Sequence, residues 1–344
     1  MKVLITEPLS HEGIEILKRE EDISVEVNTS LSHDGLVDCI RGYDALIVRS
    51  GTKVTSEVIK AADGLKVIGR AGVGVDNIDI PAATRRGILV VSTPSANTIS
   101  AAEHTMTLIL ALSRNIVPAG VSLKSHKWER QRFTGVEVYN KTLGIIGLGR
   151  IGTEVAKRAL AFGMHVMAAD PYIAPEHAAK LNIRLVETSE IIEKADYISF
   201  HLPLTDETYH LLGAKEFAAM KDGVRIINCA RGGICDEEAL YNAIVSGKVA
   251  GAALDVFESE PPLDSPLLSL DSVLTTPHLG ASTKEAQVNV SIEIAQQVVD
   301  ALRGKPVLNA VNMAPMDSAD AEKIRPYVEL AEKLGIVQSQ LVEG

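Results

Sequence analysis

At 344 residues, 46% apolar and 23% charged, the chain is long enough for two domains and contains no apolar run able to span a bilayer. Its formal net charge of −11 speaks against broad binding to nucleic acid or to an anionic membrane, so an anionic ligand must be met by local cations. Cys39, Cys229 and Cys235 are odd in number and lack CxxC spacing, which argues against a disulfide framework or thiolate metal site, and the N-terminal residues lack a signal-peptide core; the reading is a cytoplasmic protein.

In chain order, short β-rich runs at 3–6, 45–48, 67–68 and 88–91 alternate with helical patterns at 14–17, 54–61 and 80–86. Such alternation implies a parallel sheet wrapped by helices. A long apolar helix pattern at 100–113 leads, past a basic stretch, to the most informative segment. There Leu143, Ile145 and Ile146 run into Gly147-Leu148-Gly149-Arg150-Ile151-Gly152, Val155, Ala159 and Phe162 recur at helical spacing, and an apolar run at 165–169 ends in Asp170. This is a strand, a glycine turn, a helix, a strand and an acid.

Each part meets a need of a dinucleotide. Gly147 permits the turn, Gly149 lets the backbone approach a pyrophosphate, Gly152 lets helix and strand pack closely, and the helix N-terminus offers amides and positive dipole. Asp170, about 20 residues on, accepts from ribose hydroxyls; its charge opposes a 2′-phosphate, so NAD is expected rather than NADP. Strand-like runs at 197–202, 224–229, 249–254 and 273–275 complete a second doubly wound sheet. The expected fold is therefore α/β with two Rossmann-like domains. A discontinuous, flavodoxin-like substrate domain (1–97 and 285–318) encloses an NAD-binding domain (98–284). An amphipathic helix pattern at 284–303 makes the return. A further one at 319–341, within the segment 319–344, reads as an ordinary C-terminal helix or the start of a regulatory region.

Open parallel sheets deliver ligand-binding groups from the carboxyl ends of their strands. Three such groups stand out: Arg231 before two glycines, Glu260 before Pro261-Pro262, and His278 after Pro277. Oxidising an alcohol carbon requires a base, and histidine titrates nearest neutrality, so His278 is the candidate base. Glu260 would fix its tautomer and raise its pKa, and Arg231 would hold a substrate carboxylate. Arg49 and Arg70 each follow an apolar run; facing an interdomain cleft they would suit a phosphate-bearing substrate, and otherwise they form structural ion pairs. His201 and His210 lack metal-ligand spacing, so no metal is expected, and His104 reads as a packed or capping residue. Lys124, Lys127, Arg130 and Arg132 with Trp128 and Phe133 read as a solvated arm or subunit contact.

The segments 48–55, 69–77, 127–130, 141–152, 228–233, 251–257 and 277–283 resemble the D-isomer-specific 2-hydroxyacid dehydrogenases, and the resemblance covers about the first 312 positions. It implies that Arg231, Glu260 and His278 are the catalytic arginine, glutamate and histidine. It implies NAD contacts at the glycine turn with Arg150 and Ile151, at Asp170 and Pro171, and at His201, Leu202 and Pro203. The remaining implied contacts are Cys229, Ala230, Asp255, Gly280 and Ala281. Substrate contacts are implied at Arg49, Ser50, Arg70, Asn97 and the amides of Val73 and Gly74. Arg130 would reach a substrate phosphate in the neighbouring subunit of a homodimer. The implied activity is oxidation of D-3-phosphoglycerate to 3-phosphohydroxypyruvate in serine biosynthesis. The alternatives are a hydroxypyruvate or glyoxylate reductase on the same scaffold and an NAD-sensing, corepressor-like binding protein. Asn140 stands where the family has glycine and is expected to adopt a left-handed backbone.

Overall fold

The computed structural model describes residues 1–313 and, beyond them, positions 326, 327, 330, 331, 333–338, 340 and 341. The chain divides into two compact units: Met1–Asn97 together with the chain from Lys284 onward, and Thr98–Thr283.

The first unit opens with β1 (Lys2–Ile5), α1 (His11–Lys18), β2 (Ser24–Val27), α2 (His33–Cys39), β3 (Ala45–Val48), α3 (Ser56–Ala61), β4 (Val67–Arg70), α4 (Ile80–Arg85) and β5 (Leu89–Ser92). All strand pairings are parallel, in the order β2-β1-β3-β4-β5. This is the flavodoxin-like order, which reverses between β1 and β3. Strands covered on both faces read as continuous apolar runs, and every residue of β3 is buried. β2 and α2 leave no clear signal in the sequence, for physical reasons. β2 is an exposed edge strand of four residues, and α2 has seven residues, a glycine in its first turn and Leu36 alone buried.

The second unit begins with α5 (Thr98–Ser113) and α6 (Ile116–Lys124), then β6 (Thr142–Ile146), α7 (Arg150–Ala161), β7 (His165–Ala169), α8 (Pro175–Lys180), β8 (Arg184–Leu185), α9 (Thr188–Lys194) and β9 (Tyr197–Phe200). It continues through α10 (Ala214–Ala219), β10 (Val224–Asn228), α11 (Glu237–Val245), β11 (Val249–Leu254) and β12 (Val273–Thr275). The sheet order is β12-β11-β10-β9-β6-β7-β8, again parallel throughout. Counted from β6 this is the Rossmann order extended by one strand, with its reversal between β6 and β9. Apolar clusters cover both faces of each sheet. Asn140 has φ 59°, the left-handed conformation anticipated for it.

α12 (Lys284–Leu302) returns the chain to the first unit and packs on α1 and β4. Two glycines make the close approach possible. A Cβ on Gly13 would lie 2.5 Å from the Ser291 carbonyl oxygen, and one on Gly69 would lie 2.8 Å from Val298 Cγ2. Ser291 Oγ accepts from the Ser10 amide at 3.0 Å, and Gln297 Nε2 donates to the Ser92 carbonyl at 2.8 Å, which sets the register of the return. Of the helix expected at 319–341, residues 319–325, 328, 329, 332 and 339 lie outside the described residues; the described positions from 326 to 341 are helical. Among the described residues no single helix is long and apolar enough to cross a membrane.

Candidate active site

The reversal between β6 and β9 is where an open parallel sheet takes its ligand. The glycine turn lies there, and the backbone explains its composition. Gly147 has φ 96°, and a Cβ on it would lie 2.4 Å from the His201 carbonyl oxygen; a Cβ on Gly152 would lie 2.1 Å from the Gly147 carbonyl oxygen. Neither backbone neighbour can yield. Gly149, by contrast, faces open space and forms the N-cap of α7 without any side-chain cap, so the helix presents its first amides outward. Arg150 stands exposed on the first turn of that helix, with Ile151 half-buried behind it.

Asp170 does more than the sequence suggested. Its Oδ2 accepts from the Leu148 amide at 2.8 Å and its Oδ1 from the Tyr172 amide at 2.9 Å, so it ties the glycine turn to the end of β7. Each oxygen keeps a lone pair for a ribose hydroxyl. Pro171 follows, exposed. Across the reversal, Leu202 is half-buried and Pro203 exposed. Burial pushes the His201 imidazole down to about 3 and keeps it neutral, and its Nε2 lies 2.9 Å from Ser199 Oγ.

The other end of the site is built by the loops after β10, β11 and β12. His278 Nδ1 lies 2.9 Å from Glu260 Oε2, and Glu260 Oε1 accepts from the Phe257 amide at 3.2 Å. The Glu260 hydrogen bond raises the His278 pKa, with burial and the Arg231 charge opposing. Burial alone would raise Glu260; its hydrogen bond and attraction to His278 bring it below the ordinary carboxylate range. The exposed His278 sits at φ 54°, a conformation uncommon for a non-glycine residue, which must be imposed by its surroundings.

Asp255 does the imposing. It is 1% exposed, its Oδ1 accepts from Thr276 Oγ1 at 2.6 Å and from the Leu279 amide at 2.7 Å, and its Oδ2 accepts from the Gly280 amide at 2.8 Å. Burial would raise its pKa, but donors from His104, Thr276 and Leu279 hold it low. Named from the sequence as a cofactor contact, its carboxylate faces inward and shapes the turn that carries His278, Gly280 and Ala281. His104 on α5 is packed rather than capping: its Nε2 lies 3.1 Å from Asp255 Oδ1 and 3.1 Å from Thr276 Oγ1.

Asn228, at the end of β10, has a role that the sequence alone does not assign. Its Nδ2 donates to the Arg231 carbonyl at 2.8 Å and its Oδ1 accepts from the Ala230 amide at 3.0 Å, closing the loop that presents Arg231. An asparagine closing an apolar strand run is the sequence signal that could have exposed it, and in the fold it is 2% exposed with its polar atoms paired. Gly232 is required because a Cβ there would lie 1.8 Å from the Phe257 carbonyl oxygen. Burial pushes the Cys229 thiol up to about 12, so it serves as packing rather than as a nucleophile. Among the described residues no group of three or more His, Cys, Asp or Glu side chains converges as a metal site.

Arg49, Ser50, Arg70, Val73, Gly74 and Asn97 belong to the first unit. Gly72 makes room for Arg70, since a Cβ on it would lie 1.5 Å from Arg70 Nη1. Arg130 is exposed at the start of a 3-10 turn, Arg130–Phe133, in the second unit.

Residues 106–280 match the model of the D-isomer specific 2-hydroxyacid dehydrogenase NAD binding domain, which is half of the chain. The chain belongs to the D-isomer-specific 2-hydroxyacid dehydrogenase family. A relative named D-3-phosphoglycerate dehydrogenase from Archaeoglobus fulgidus is 52% identical over all of this chain. The chain spans 65% of that relative's length, and 62–66% of the lengths of similar relatives from Methanocaldococcus jannaschii, Synechocystis and Bacillus subtilis. Among solved structures, a glyoxylate reductase from Paecilomyes thermophila superposes with a TM-score of 0.83 at 31% identity, covering 90% of this chain and 98% of its own. A D-lactate dehydrogenase from Aquifex aeolicus, complexed with NAD and lactic acid, superposes with a TM-score of 0.80 at 29% identity, covering 91% and 100%. In this family the dinucleotide is NAD, and the uncapped helix, the open space at Gly149 and the free lone pairs of Asp170 fit it.

Proposed function

We propose that the chain carries out the NAD-dependent oxidation of D-3-phosphoglycerate to 3-phosphohydroxypyruvate at the head of serine biosynthesis, in the cytoplasm. The observation that carries the reading is the 2.9 Å His278–Glu260 pair, held in a constrained turn beside the loop of Arg231. NAD, when bound along the glycine turn, Asp170 and the strand-end residues from His201 to Pro203, supplies the hydride acceptor. His278 removes the C2 hydroxyl proton through Nε2, because Nδ1 is engaged by Glu260. Glu260 stabilises the imidazolium that results. Arg231 binds the substrate carboxylate and offers positive charge where the carbonyl oxygen develops.

The phosphate is assigned to Arg49 and Arg70, with Ser50 and Asn97 as neighbouring polar contacts and the Val73 and Gly74 amides on the carboxylate. In a chain of net charge −11, an arginine just beyond one strand and another closing its neighbour suit a phosphorylated acid. The 52% identity to a D-3-phosphoglycerate dehydrogenase supports this substrate over the glyoxylate suggested by a 31% neighbour. We further propose a homodimer, in which Arg130 reaches the partner's substrate. Ile116, Val117, Val121 and Leu123 on or beside one helix are 51–60% exposed, a face that a second copy would cover.

The deciding assay is NADH formation from NAD with D-3-phosphoglycerate at alkaline pH, beside D-glycerate. Turnover with the phosphorylated acid alone is expected. Equal rates with D-glycerate would discard the phosphate assignment, and turnover with neither would leave an NAD-sensing binding protein.

A further inference from the structure

In the first unit the sheet order reverses between β1 and β3, and backbone amides at such a reversal are where an open parallel sheet receives an anionic ligand. Here a side chain of the protein fills that position. Glu7, just beyond β1, accepts from the Arg49 amide at 2.7 Å and the Thr52 amide at 2.9 Å through Oε2, and from the Gly51 amide at 2.9 Å through Oε1. Three backbone donors of the loop after β3 converge on one carboxylate.

The loop's acceptors are held as firmly. Asn77 Nδ2 donates to the Arg49 carbonyl at 2.7 Å and to the Thr52 carbonyl at 2.6 Å, and Thr6 Oγ1 lies 2.9 Å from Thr52 Oγ1. Gly51 leaves just enough room, since a Cβ on it would lie 3.0 Å from Glu7 Oε1. The residue after Glu7 receives the other end of Arg49: the guanidinium Nη1 lies 3.4 Å from the Pro8 carbonyl oxygen. With Glu7 in place, these three amides are satisfied and closed to an incoming phosphate. Without it they would be three unpaired donors on a loop free to rearrange.

We propose that Glu7 is a resident anion and positioning residue: it occupies the amide cradle at the β1/β3 reversal, orders the Arg49–Thr52 loop, and leaves recognition of the substrate phosphate to the Arg49 guanidinium. This rests on the assignment of Arg49 to the phosphate. It makes phosphate selectivity a property of a side chain aimed by a carboxylate rather than of a backbone nest.

The test compares Glu7→Ala and Glu7→Gln with Arg49→Ala, each assayed with D-3-phosphoglycerate and D-glycerate, with NAD affinity and Tm as controls. Glu7→Ala is expected to raise KM for the phosphorylated acid about tenfold or more at nearly constant kcat, and to lower the selectivity ratio to the same extent. Glu7→Gln, which keeps the volume and one accepting oxygen, should lie between. Added formate, at ionic strength matched with chloride, should refill the cradle of the alanine variant and lower KM again. Unchanged KM in both Glu7 variants while Arg49→Ala raises it would overturn the positioning role alone. A parallel loss on both substrates with a lower Tm and no formate rescue would mark Glu7 as merely structural and overturn it too. If Arg49→Ala fails to discriminate the two substrates, the phosphate assignment falls and this proposal falls with it.

Discussion

His278 concentrates the chemistry at the residue scale. General-base catalysis is worth about 10²–10⁴-fold, so His278→Ala should lower kcat for oxidation by that range while NAD affinity, measured by fluorescence titration, stays close to wild type. Retained turnover would remove His278 from the mechanism. The pH dependence has a definite sign. The base works neutral, and the Glu260 hydrogen bond raises its pKa, so oxidation should rise with pH through that raised value and reduction should fall through it. Glu260→Gln removes the raising interaction; the limb of the oxidation profile should move to lower pH and its plateau should drop. A limb that stays in place would show that another group is titrating. At the other end of the site, Asp170→Ala should weaken NAD binding and narrow the preference over NADP, because the 2′-phosphate no longer meets a carboxylate. An unchanged preference would transfer that role to other groups.

Among the elements, the glycine turn ahead of α7 and the loop beyond β10 show how backbone contact dictates sequence. Gly152→Ala would push a Cβ against the Gly147 carbonyl, and Gly232→Ala one against Phe257, in both cases backbone that cannot step aside. Each should cost about 1–3 kcal/mol, read as a lower midpoint in thermal unfolding; Gly152→Ala should also weaken NAD binding, and Gly232→Ala should lower kcat by displacing the Arg231 loop. Normal stability in either variant would mean the backbone shifts more cheaply than its packing suggests. β3 was legible because burial on both faces demands an unbroken apolar run, and β9 and β11 keep nearly unbroken ones, interrupted only by the buried Ser199 and the exposed Ala250. β8, with two residues at a sheet edge, offers no such run, and neither does the exposed β2.

For the whole molecule, the exposed apolar face around α6 and the single tryptophan give a direct handle on assembly. Trp128 is 77% exposed in the chain alone. If a second copy covers this face, sedimentation should give twice the mass of 36.8 kDa, and Val121→Glu should halve it and shift Trp128 emission to longer wavelength. A single-copy mass for the unaltered chain would refute the homodimer. What the sequence determined by itself was whatever is written in local spacing. That includes two parallel α/β sheets, the glycine turn with its acid, and the positions of Arg231, Glu260 and His278 just beyond strands. Hydrophobic period and turn chemistry act over a few neighbouring residues and so leave a readable trace. Only the tertiary structure decided which distant polar groups meet. Asp255 turned inward to hold the His278 turn with help from His104, Asn228 closed the Arg231 loop, and Glu7 reached across 42 positions to the Arg49 amide. Those partners are chosen by strand order and burial, which bring together residues that no local pattern connects.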